Sequence, residues 1–477
     1  MSNTIKDLID KDLNDIKPLK DHLRTTPKER EEAFDNLIEK TPEDTAVEEL
    51  NKKHAAIHTD QFYILTEKPH ALFDGIDFTL ESKQSFINCY ENQMVKCSDK
   101  KLRSKAKIWL SHPKRREFHG IQFDPTTSEH KKGLYNIWKG FAITPKEGNC
   151  QLFKTHIKSV ICNGNTEYYN YIIKWMAHLV QKPDKLSPVI VLVGEQGTGK
   201  NTLVNALGTI FGQHYFPLDN IDQFLGRFNF HLKNAVLIHG NEAMWGGNKK
   251  QLGSLKSMVT EEFSTFEGKN KDSFTTRNFR HLILSSNEDW PVHLDRDDRR
   301  FLILQVSNKH KDDPKYFDPL RAELSNGGVE AFLYELLMTD ISSFNVWRLP
   351  QNLEAFEIKL RSASSTERYI YEALKIGGFD LGMTQQANKW ENLKDSYLLQ
   401  IVAVYADYKS WVEHQGMKAE DSPALGKAIK RLIPSTDKVR PSGKKGEPRP
   451  FFYEFPILAK ARTEFQKEYK VGEEIWE

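Results

Sequence analysis

A chain of 477 residues is long enough for roughly two to four domains with substantial hydrophobic cores. Its composition, 28% charged and 39% hydrophobic, is that of a globular protein, and a formal net charge of only +2 excludes a uniformly basic nucleic-acid coat. No apolar run is long enough to span a bilayer and the N-terminus lacks an apolar signal core, so a cytoplasmic protein without a membrane partner is predicted.

The first two segments contain no obvious catalytic motif. Residues 1–57 show charged helical patterns interrupted at Pro18, Pro27 and Pro42, which predicts an N-terminal extension or a partner-binding arm. Residues 58–182 form a mixed region that ends in a helical pattern with aromatic residues at core spacing. No primase signature is found, so a primase would have to be another polypeptide.

A glycine-rich segment follows the apolar run from Pro188 to Val193 and precedes a helical pattern. Strand, glycine loop and helix in this order are the context of a P-loop, whose backbone N–H groups bind phosphate. Lys200 would reach the β- and γ-phosphates. The alternative is a glycine turn that binds no ligand. The predicted nucleotide-binding residues are Gly194, Glu195, Gln196, Gly197, Thr198, Gly199, Lys200, Asn201 and Thr202.

The predicted cofactors are ATP and Mg²⁺. A P-loop usually has Ser or Thr after its lysine, because the hydroxyl binds Mg²⁺, whereas this chain has Asn201. An amide oxygen can also bind Mg²⁺, so direct contact by Asn201 stays open. A second apolar run, residues 235–239, leads to Asn241 and Glu242. Glu242 is the predicted base for the attacking water and, with Asn241, part of the metal shell; the alternative is an acid near a helix N-terminus.

Two further polar groups border later strand patterns. Asn287 ends the run that begins at Leu282, and it is predicted to contact the γ-phosphate or the attacking water; the alternative is a simple Asn turn. Arg299 and Arg300 directly precede a fourth strand pattern, residues 301–306. They either form a solvated face or include a finger that reaches a neighbour's phosphate in trans.

Taken in order, these segments resemble the superfamily 3 helicases, and more narrowly the helicase portion of phage and plasmid primase–helicases. The resemblance spans roughly residues 60–470. The segments that carry it are YNIWKGFAITPKEGNC from Tyr135, YYNYIIKWMAHLVQKP from Tyr168, the glycine loop, LKNAVLIHGNEA, LILSSNEDWPV and DRRFLIL.

The resemblance implies an α/β, AAA+-like P-loop core with a parallel sheet at residues 183–310, which acts as a hexameric ring. It also implies that the mixed region at residues 58–182 is a collar that precedes this core. It assigns Lys200 as the Walker A lysine, Glu242 as the Walker B glutamate and Asn287 as the sensor. Arg300 fits the trans finger best, and Arg299 is the near alternative. The sequence departs from the family pattern at the metal shell, where Asn replaces Ser at Asn201 and Asp at Asn241.

A hairpin pattern lies within this core. Alternating residues at 263–266 and 273–276 flank a polar tip, residues 268–272. The resemblance implies that this hairpin projects into the ring channel and holds DNA through Lys269 and Lys271. The alternative is a surface hairpin with a polar tip.

The remaining chain divides into a helical and a mixed segment. The mostly helical pattern of residues 311–395 predicts a lid or a linker. Residues 396–477 read as helix, helix, basic loop and strand, which predicts a winged-helix-like DNA-binding domain; the alternative is a winged fold used for protein contacts. The predicted DNA contacts in this segment are Lys427, Lys430, Arg431, Lys444 and Lys445.

The favoured function is that of an ATP-dependent DNA helicase, which would unwind DNA during replication of a phage, plasmid or other mobile element. The resemblance implies a homohexamer that moves 3′→5′ on single-stranded DNA, with duplex DNA and a separate primase or polymerase as further partners. Two alternatives stay open: an ATP-switched initiator that binds an origin, and a non-motor scaffold for a separate primase.

Overall fold

The computed structural model describes residues 40–59, 61–70, 76–130, 133–219, 226, 229–241, 249–268, 271–288, 290–379, 390, 395–442 and 449–476. Within these residues the chain forms two compact units. The first comprises the described parts of residues 1–69, 76–122 and 130–135, and the second comprises those of 70–75, 123–129 and 136–477. None of the described helices has the length and apolar character needed to cross a bilayer.

The first unit is a small α/β unit around a four-stranded sheet, whose strands are in the order β3 (Ile76–Glu81), β2 (Phe62–Pro69), β1 (His54–His58) and β6 (Glu117–Phe118). Strand β1 is antiparallel to β2 and parallel to β6. Its helices are α1 (Pro42–Asn51), α2 (Lys83–Cys89) and α3 (Lys105–Ser111). Its strands are β1 (His54–His58), β2 (Phe62–Pro69), β3 (Ile76–Glu81), β4 (Met94–Lys96), β5 (Leu102–Ser104), β6 (Glu117–Phe118) and β7 (Ile121–Gln122), and β8 (Tyr135–Asn136) lies where the chain leaves the unit.

Helix α1 belongs to the core of this unit. Pro42, interpreted from the sequence as an interruption, occupies the first turn of the helix, where a proline lacks no needed N–H group. Thr41 and Asp44 form a capping box at the same end. Val47 and Leu50 are buried in the unit's hydrophobic cluster. The part of the predicted extension that follows Thr41 is therefore packed structure.

The second unit carries the glycine loop. Its helices are α4 (Gln151–His156), α5 (Thr166–Gln181), α6 (Lys200–Phe211), α7 (Lys249–Thr260), α8 (Pro314–Glu323), α9 (Val329–Met338), α10 (Leu353–Ser362), α11 (Ser365–Ile376), α12 (Ile401–His414), α13 (Ser422–Leu432) and α14 (Leu458–Tyr469). Its strands are β9 (Val189–Val193), β10 (Tyr215–Leu218), β11 (Leu237–Asn241), β12 (Phe263–Gly268), β13 (Lys271–Arg277), β14 (His281–Ser286), β15 (Phe301–Gln305), β16 (Tyr397–Gln400), β17 (Asp437–Val439) and β18 (Phe452–Phe455). Single π-helical turns cover Ile157–Ile161 and Leu324–Gly328, and 3₁₀ turns cover Gly212–His214, Phe230–Leu232 and Glu473–Trp476.

The centre of this unit is a five-stranded sheet of order β10-β11-β14-β9-β15, in which every neighbouring pair is parallel. The four apolar runs predicted as strands are β9, β11, β14 and β15. All five residues of β9 are buried, as expected for a parallel strand that is covered on both faces. Because the strands are parallel, their carboxyl ends share one edge of the sheet, where ligands bind in open α/β folds.

The predicted hairpin is also present. Strands β12 and β13 pair antiparallel, with Thr265 opposite Thr275 and Gly268 opposite Lys271. The tip residues 269–270 lie outside the described residues, so the position of Lys269 does too. For Lys271 the structure describes the backbone, at the start of β13.

The C-terminal part of the unit has its own core around the antiparallel sheet β16-β18-β17. Helices α12 and α13 lie where the sequence predicts them. Strands β16 and β17 and helix α14 were not predicted. Helix α11, predicted as part of the lid, also packs into this core through Tyr369 and Leu374.

Candidate functional site

The glycine loop joins β9 to α6 and adopts a conformation that only glycine accommodates readily. Gly197 and Gly199 have φ values of +81° and +93°, in the left-handed region. A Cβ atom on Gly199 would lie 2.6 Å from Cε1 of His156, and a Cβ atom on Gly197 would meet the carboxylate of Asp312. The backbone angle therefore favours glycine at both positions, and at Gly199 the packing against the His156 ring adds a second reason.

Helix α6 begins at this loop without a side-chain cap. Gly199 occupies the N-cap position, and a glycine has no side chain that could cap the helix. A helix N-terminus without a side-chain cap carries a partial positive charge, so it favours an anion. The loop and helix together have the form of a phosphate site.

Lys200 links the loop to the neighbouring strand. Its side chain is largely buried, with only 8% of the residue exposed. The ammonium donates to the carbonyl oxygens of Gly194 and Glu195, the latter at 2.8 Å. It also donates to Oδ1 of Asn287 at 2.9 Å. Two residues that are 87 positions apart and were predicted separately are thus in direct contact.

The loop opens onto a cleft of about 550 Å³. The register places Asn241 beside Ser285, and Ser286 beside Val193, so the ends of β11, β14 and β9 are level. The predicted residues Asn201, Asn241 and Asn287 all line this cleft with Lys200. Glu242, the predicted base, lies outside the described residues, which resume at 249. In the described part of the chain no cluster of three or more His, Cys, Asp or Glu side chains forms a metal site.

A buried histidine is hydrogen-bonded to the backbone of the glycine loop. His156 is fully buried, and burial lowers its pKa to about 4, so the ring is neutral near pH 7. Its Nε2 lies 3.2 Å from the carbonyl oxygen of Gly199, which can only accept, so Nε2 carries the proton. Its Nδ1 then accepts from the hydroxyl of Tyr316, also at 3.2 Å.

A second buried histidine connects the strands behind the cleft. His239 of β11 lies 2.9 Å from the hydroxyl of Ser285 on β14 and 3.2 Å from the hydroxyl of Tyr215 on β10. Burial lowers the pKa of His239 to about 4 and raises that of Tyr215 to about 12. This polar chain fixes three strands whose ends line the cleft.

One wall of the cleft was missed by sequence reasoning. Asp312 and Asp313 line it together with Phe317 and Arg321 of helix α8. Lys311 pairs with Glu195 of the loop at 2.5 Å, across 116 positions of sequence. The segment has no recognisable motif, and only the fold brings it to the loop.

Arg299 and Arg300 lie at the other edge of the sheet. The carbonyl oxygen of Arg300 accepts from the N–H of Val189 at 2.7 Å, at the amino end of β9. The glycine loop begins at the carboxyl end of this five-residue strand, about 16 Å away at 3.3 Å per residue. Within one chain, neither arginine is next to its own glycine loop.

These two arginines line a separate, basic cleft of about 880 Å³ together with Lys182, Lys185 and Arg277. Arg299 is exposed, whereas the guanidinium of Arg300 lies 3.5 Å from Oδ1 of Asp298.

Asp298 contacts both Lys256 and Arg300 through its buried carboxylate. Its side chain is fully buried and forms an ion pair of 2.7 Å with Lys256. The same carboxylate accepts the backbone N–H of Arg300 at 3.1 Å. Asp298 therefore holds both the backbone and the side chain of Arg300.

The predicted DNA-binding residues of the C-terminal part differ in their surroundings. Lys427 is exposed on α13. Lys430 donates to the carbonyl oxygen of Thr436 at 2.8 Å and pairs with Asp437 at 3.3 Å. Arg431 pairs with Glu367 at 2.5 Å. Lys444 and Lys445 lie outside the described residues.

Comparison with known proteins supports a relationship to a phage replication protein. A model described as a family of unknown function, DUF5906, matches residues 192–300, from the end of β9 to Arg300. A protein named DNA Primase-polymerase, from Nitratiruptor phage NrS-1, is 31% identical over 143 residues. That match covers 29% of this chain and 20% of the relative, so the chain matches only a fifth of the relative's length.

The fold has solved counterparts. An apo structure of the NrS-1 C terminal region aligns with a TM-score of 0.62 at 18% identity, covering 88% of this chain and all of that one. A second, its A form, gives 0.59 at 17% identity with the same coverage. At this identity the likeness shows that the two chains share a mixed α/β fold with a parallel sheet.

Proposed function

We propose that this chain is an ATP-dependent DNA helicase for phage or mobile-element replication, with an AAA+-like core and a winged-helix-like C-terminal domain. The observation that carries the proposal is the contact between Lys200 and Asn287 at the carboxyl edge of the parallel sheet, beside an uncapped helix N-terminus. The sequence match to a primase-polymerase makes DNA replication the natural setting.

The residues of the cleft have distinct roles in this proposal. The N–H groups of the loop and of α6 bind the phosphates, and Lys200 exchanges a carbonyl partner for a phosphate oxygen. Asn287 then orients the attacking water, and Glu242 accepts its proton. Asn201, Asn241 and Glu242 would hold Mg²⁺, which neutralises phosphate charge when bound. The side-chain amide oxygens of Asn201 and Asn241 suit Mg²⁺, because this hard cation prefers oxygen ligands.

Arg300 acts on a neighbouring subunit in this proposal. Its place at the amino edge of the sheet supports action in trans, since the loop of its own chain lies at the other edge. Hydrolysis would then require a ring, and the hexamer is the expected assembly. The β12–β13 hairpin, with Lys269 and Lys271 at its tip, would hold single-stranded DNA in the channel.

The first test is ATP hydrolysis. Lys200→Ala should lose ATP binding, whereas Glu242→Gln should bind ATP and hydrolyse it slowly, because the base is lost while the shape is kept. Lys467→Ala, an exposed helix lysine of the C-terminal part, is the matched control and should behave as wild type. Normal turnover by Lys200→Ala would remove the basis of the proposal.

The second test separates the helicase from the alternatives. A helicase should hydrolyse ATP faster with single-stranded DNA and should unwind a forked duplex. An origin-binding initiator should bind one duplex sequence and unwind little, and a scaffold should bind a primase without DNA-stimulated hydrolysis. Either of the last two outcomes would overturn the motor assignment while leaving the nucleotide site intact.

A further inference from the structure

A groove in the C-terminal part separates helix α13 from strands β17 and β18. It encloses about 530 Å³ and is lined by Lys427 on the helix side and by Lys438 and Tyr453 on the strand side. Gly426 permits the close approach of the two sides, because a Cβ there would lie 2.8 Å from the hydroxyl of Tyr453. We call this feature the C-terminal groove.

An exposed aromatic ring lies next to Lys438, one of the residues on the strand side of this groove. Phe451 immediately precedes β18, and 45% of the residue is exposed. Along the chain it alternates with Tyr453 and Phe455, both buried on the face that packs against the helices. Phe451 thus points to the side of the sheet that carries the groove, but beyond the end of the core.

Two cations lie over this ring. The ammonium of Lys438 is 4.6 Å from the ring centroid, and the guanidinium carbon of Arg440 is 5.0 Å from it. Arg440 is also held by a hydrogen bond from its Nε to the carbonyl oxygen of Arg449 at 2.9 Å. An exposed aromatic ring surrounded by cations is the combination that single-strand-binding surfaces use.

The carboxylate of Asp437 lines the groove but contributes little repulsion to a bound polyanion. Asp437 pairs with Lys430 at 3.3 Å, so its charge is balanced. Lys427, Lys438 and Arg440 are all exposed. The net charge of the groove is therefore positive.

We propose that the C-terminal groove binds single-stranded DNA, with an unpaired base stacked on Phe451 and phosphates neutralised by Lys427, Lys438 and Arg440. A cation over an exposed ring is held more weakly than a stacked base, so a base displaces one cation, which then pairs with the adjacent phosphate. This inference rests on the proposed function, because it assumes that the chain acts on DNA.

The geometry favours a single strand over a duplex. Major-groove recognition would use the cations of α13, but Lys430 and Arg431 are already paired with carboxylates of this chain. A flat ring just before the start of β18 can stack on a base only where that base is unpaired. The groove would therefore bind a single strand of DNA after the duplex has been unwound.

The test compares two neighbouring phenylalanines at the start of β18 in the full chain. Phe451→Leu removes the stacking ring and keeps an apolar side chain, whereas Phe452→Leu removes a half-buried ring on the opposite face of the sheet. Binding of a labelled oligo-dT is measured by fluorescence anisotropy over a range of salt. Phe451→Leu should weaken it about tenfold with an unchanged salt slope, because stacking releases no counterion. Lys427→Ala should lower the slope by about 0.7.

Two further measurements locate the contact. Binding of a blunt duplex should be equal for Phe451→Leu and Phe452→Leu, and 5-iodouracil in the oligonucleotide should cross-link to Phe451. Equal single-strand affinity of the two variants, or a cross-link confined to another part of the chain, would overturn the groove assignment. If the wild-type chain bound no DNA at all, the proposed function would fail instead, so the two failures are distinguishable.

Discussion

Acid should unfold the second unit at a pH where most proteins are still stable. Five of its histidines are buried: burial lowers the pKa of His156, His178, His214 and His239 to about 4 and that of His281 to about 3. Each ring is neutral in the folded chain and takes up a proton on unfolding, where its pKa is near 6.5. The unfolded state therefore binds more protons between about pH 6.5 and 4, and stability falls as the pH falls.

The size of the effect follows from the same shifts. A histidine whose pKa drops from 6.5 to about 4 lowers the free energy of unfolding by about 2 kcal/mol between pH 8 and pH 5. Five such groups give about 10 kcal/mol, which is comparable with the whole stability of a domain. Near pH 5.5 about four protons are taken up on unfolding, so the slope is about 5 kcal/mol per pH unit.

Urea unfolding followed by tryptophan fluorescence, repeated from about pH 8 to pH 5, measures this slope. His178→Gln should reduce the uptake by one proton at little structural cost, because Nδ1 of His178 makes no hydrogen bond to the described residues. His414→Gln, at an exposed position, should leave the slope unchanged. An uptake of one proton or fewer between pH 6 and pH 5 in the wild-type chain would refute the reasoning.

Three substitutions test the geometry further. Gly199→Ala should weaken binding of a fluorescent ATP analogue at least tenfold, because the new Cβ strains the backbone and meets His156; wild-type affinity would contradict the assigned loop conformation. Arg300→Ala subunits mixed with Lys200→Ala subunits should recover ATP hydrolysis, since a trans finger is worth about 10³ or more in rate; confirmed mixed rings without recovery would argue against a trans role. Asp298→Asn should lower the free energy of unfolding by about 2 kcal/mol, because it removes the charge of a buried carboxylate that pairs with the half-buried Lys256, which keeps Asp295 as a second partner; an unchanged urea midpoint would show that the pair contributes nothing.

Four of the five strands of the parallel sheet could be predicted from the sequence because they are buried on both faces, whereas the more exposed edge strand β10 was not predicted. Four apolar runs, among them residues 188–193 and 282–284, are too continuous for amphipathic elements, and polar groups follow three of them. Parallel order then places those polar groups at one edge. The contact between Lys200 and Asn287 is the physical result of that rule. The functional roles and domain boundaries assigned from the sequence stay predictions.

Other features depended on contacts that no local pattern encodes. Asp312 and Arg321 reach the cleft through a turn and a helix that only the folded chain brings to the glycine loop. The pairing of Arg431 with Glu367 spans 64 positions, so a cation predicted to meet phosphate has a partner that the local sequence cannot reveal. Strand β17 has only three residues, too few for a periodic pattern.

Helix α10 has consequences for how the chain can be divided in the laboratory. Ala355 and Ile358 are buried with the parallel sheet, while Phe356 is buried with the C-terminal core. Just before the helix, the Asn352 side chain bonds both the N–H and the carbonyl of Ile303, at 3.1 and 2.8 Å, as a neighbouring strand would. A fragment that ends before Asn352 leaves the edge of β15 unpaired, and one that begins after the helix exposes the other core. The parallel sheet and the C-terminal core are therefore best studied in one polypeptide that includes helix α10.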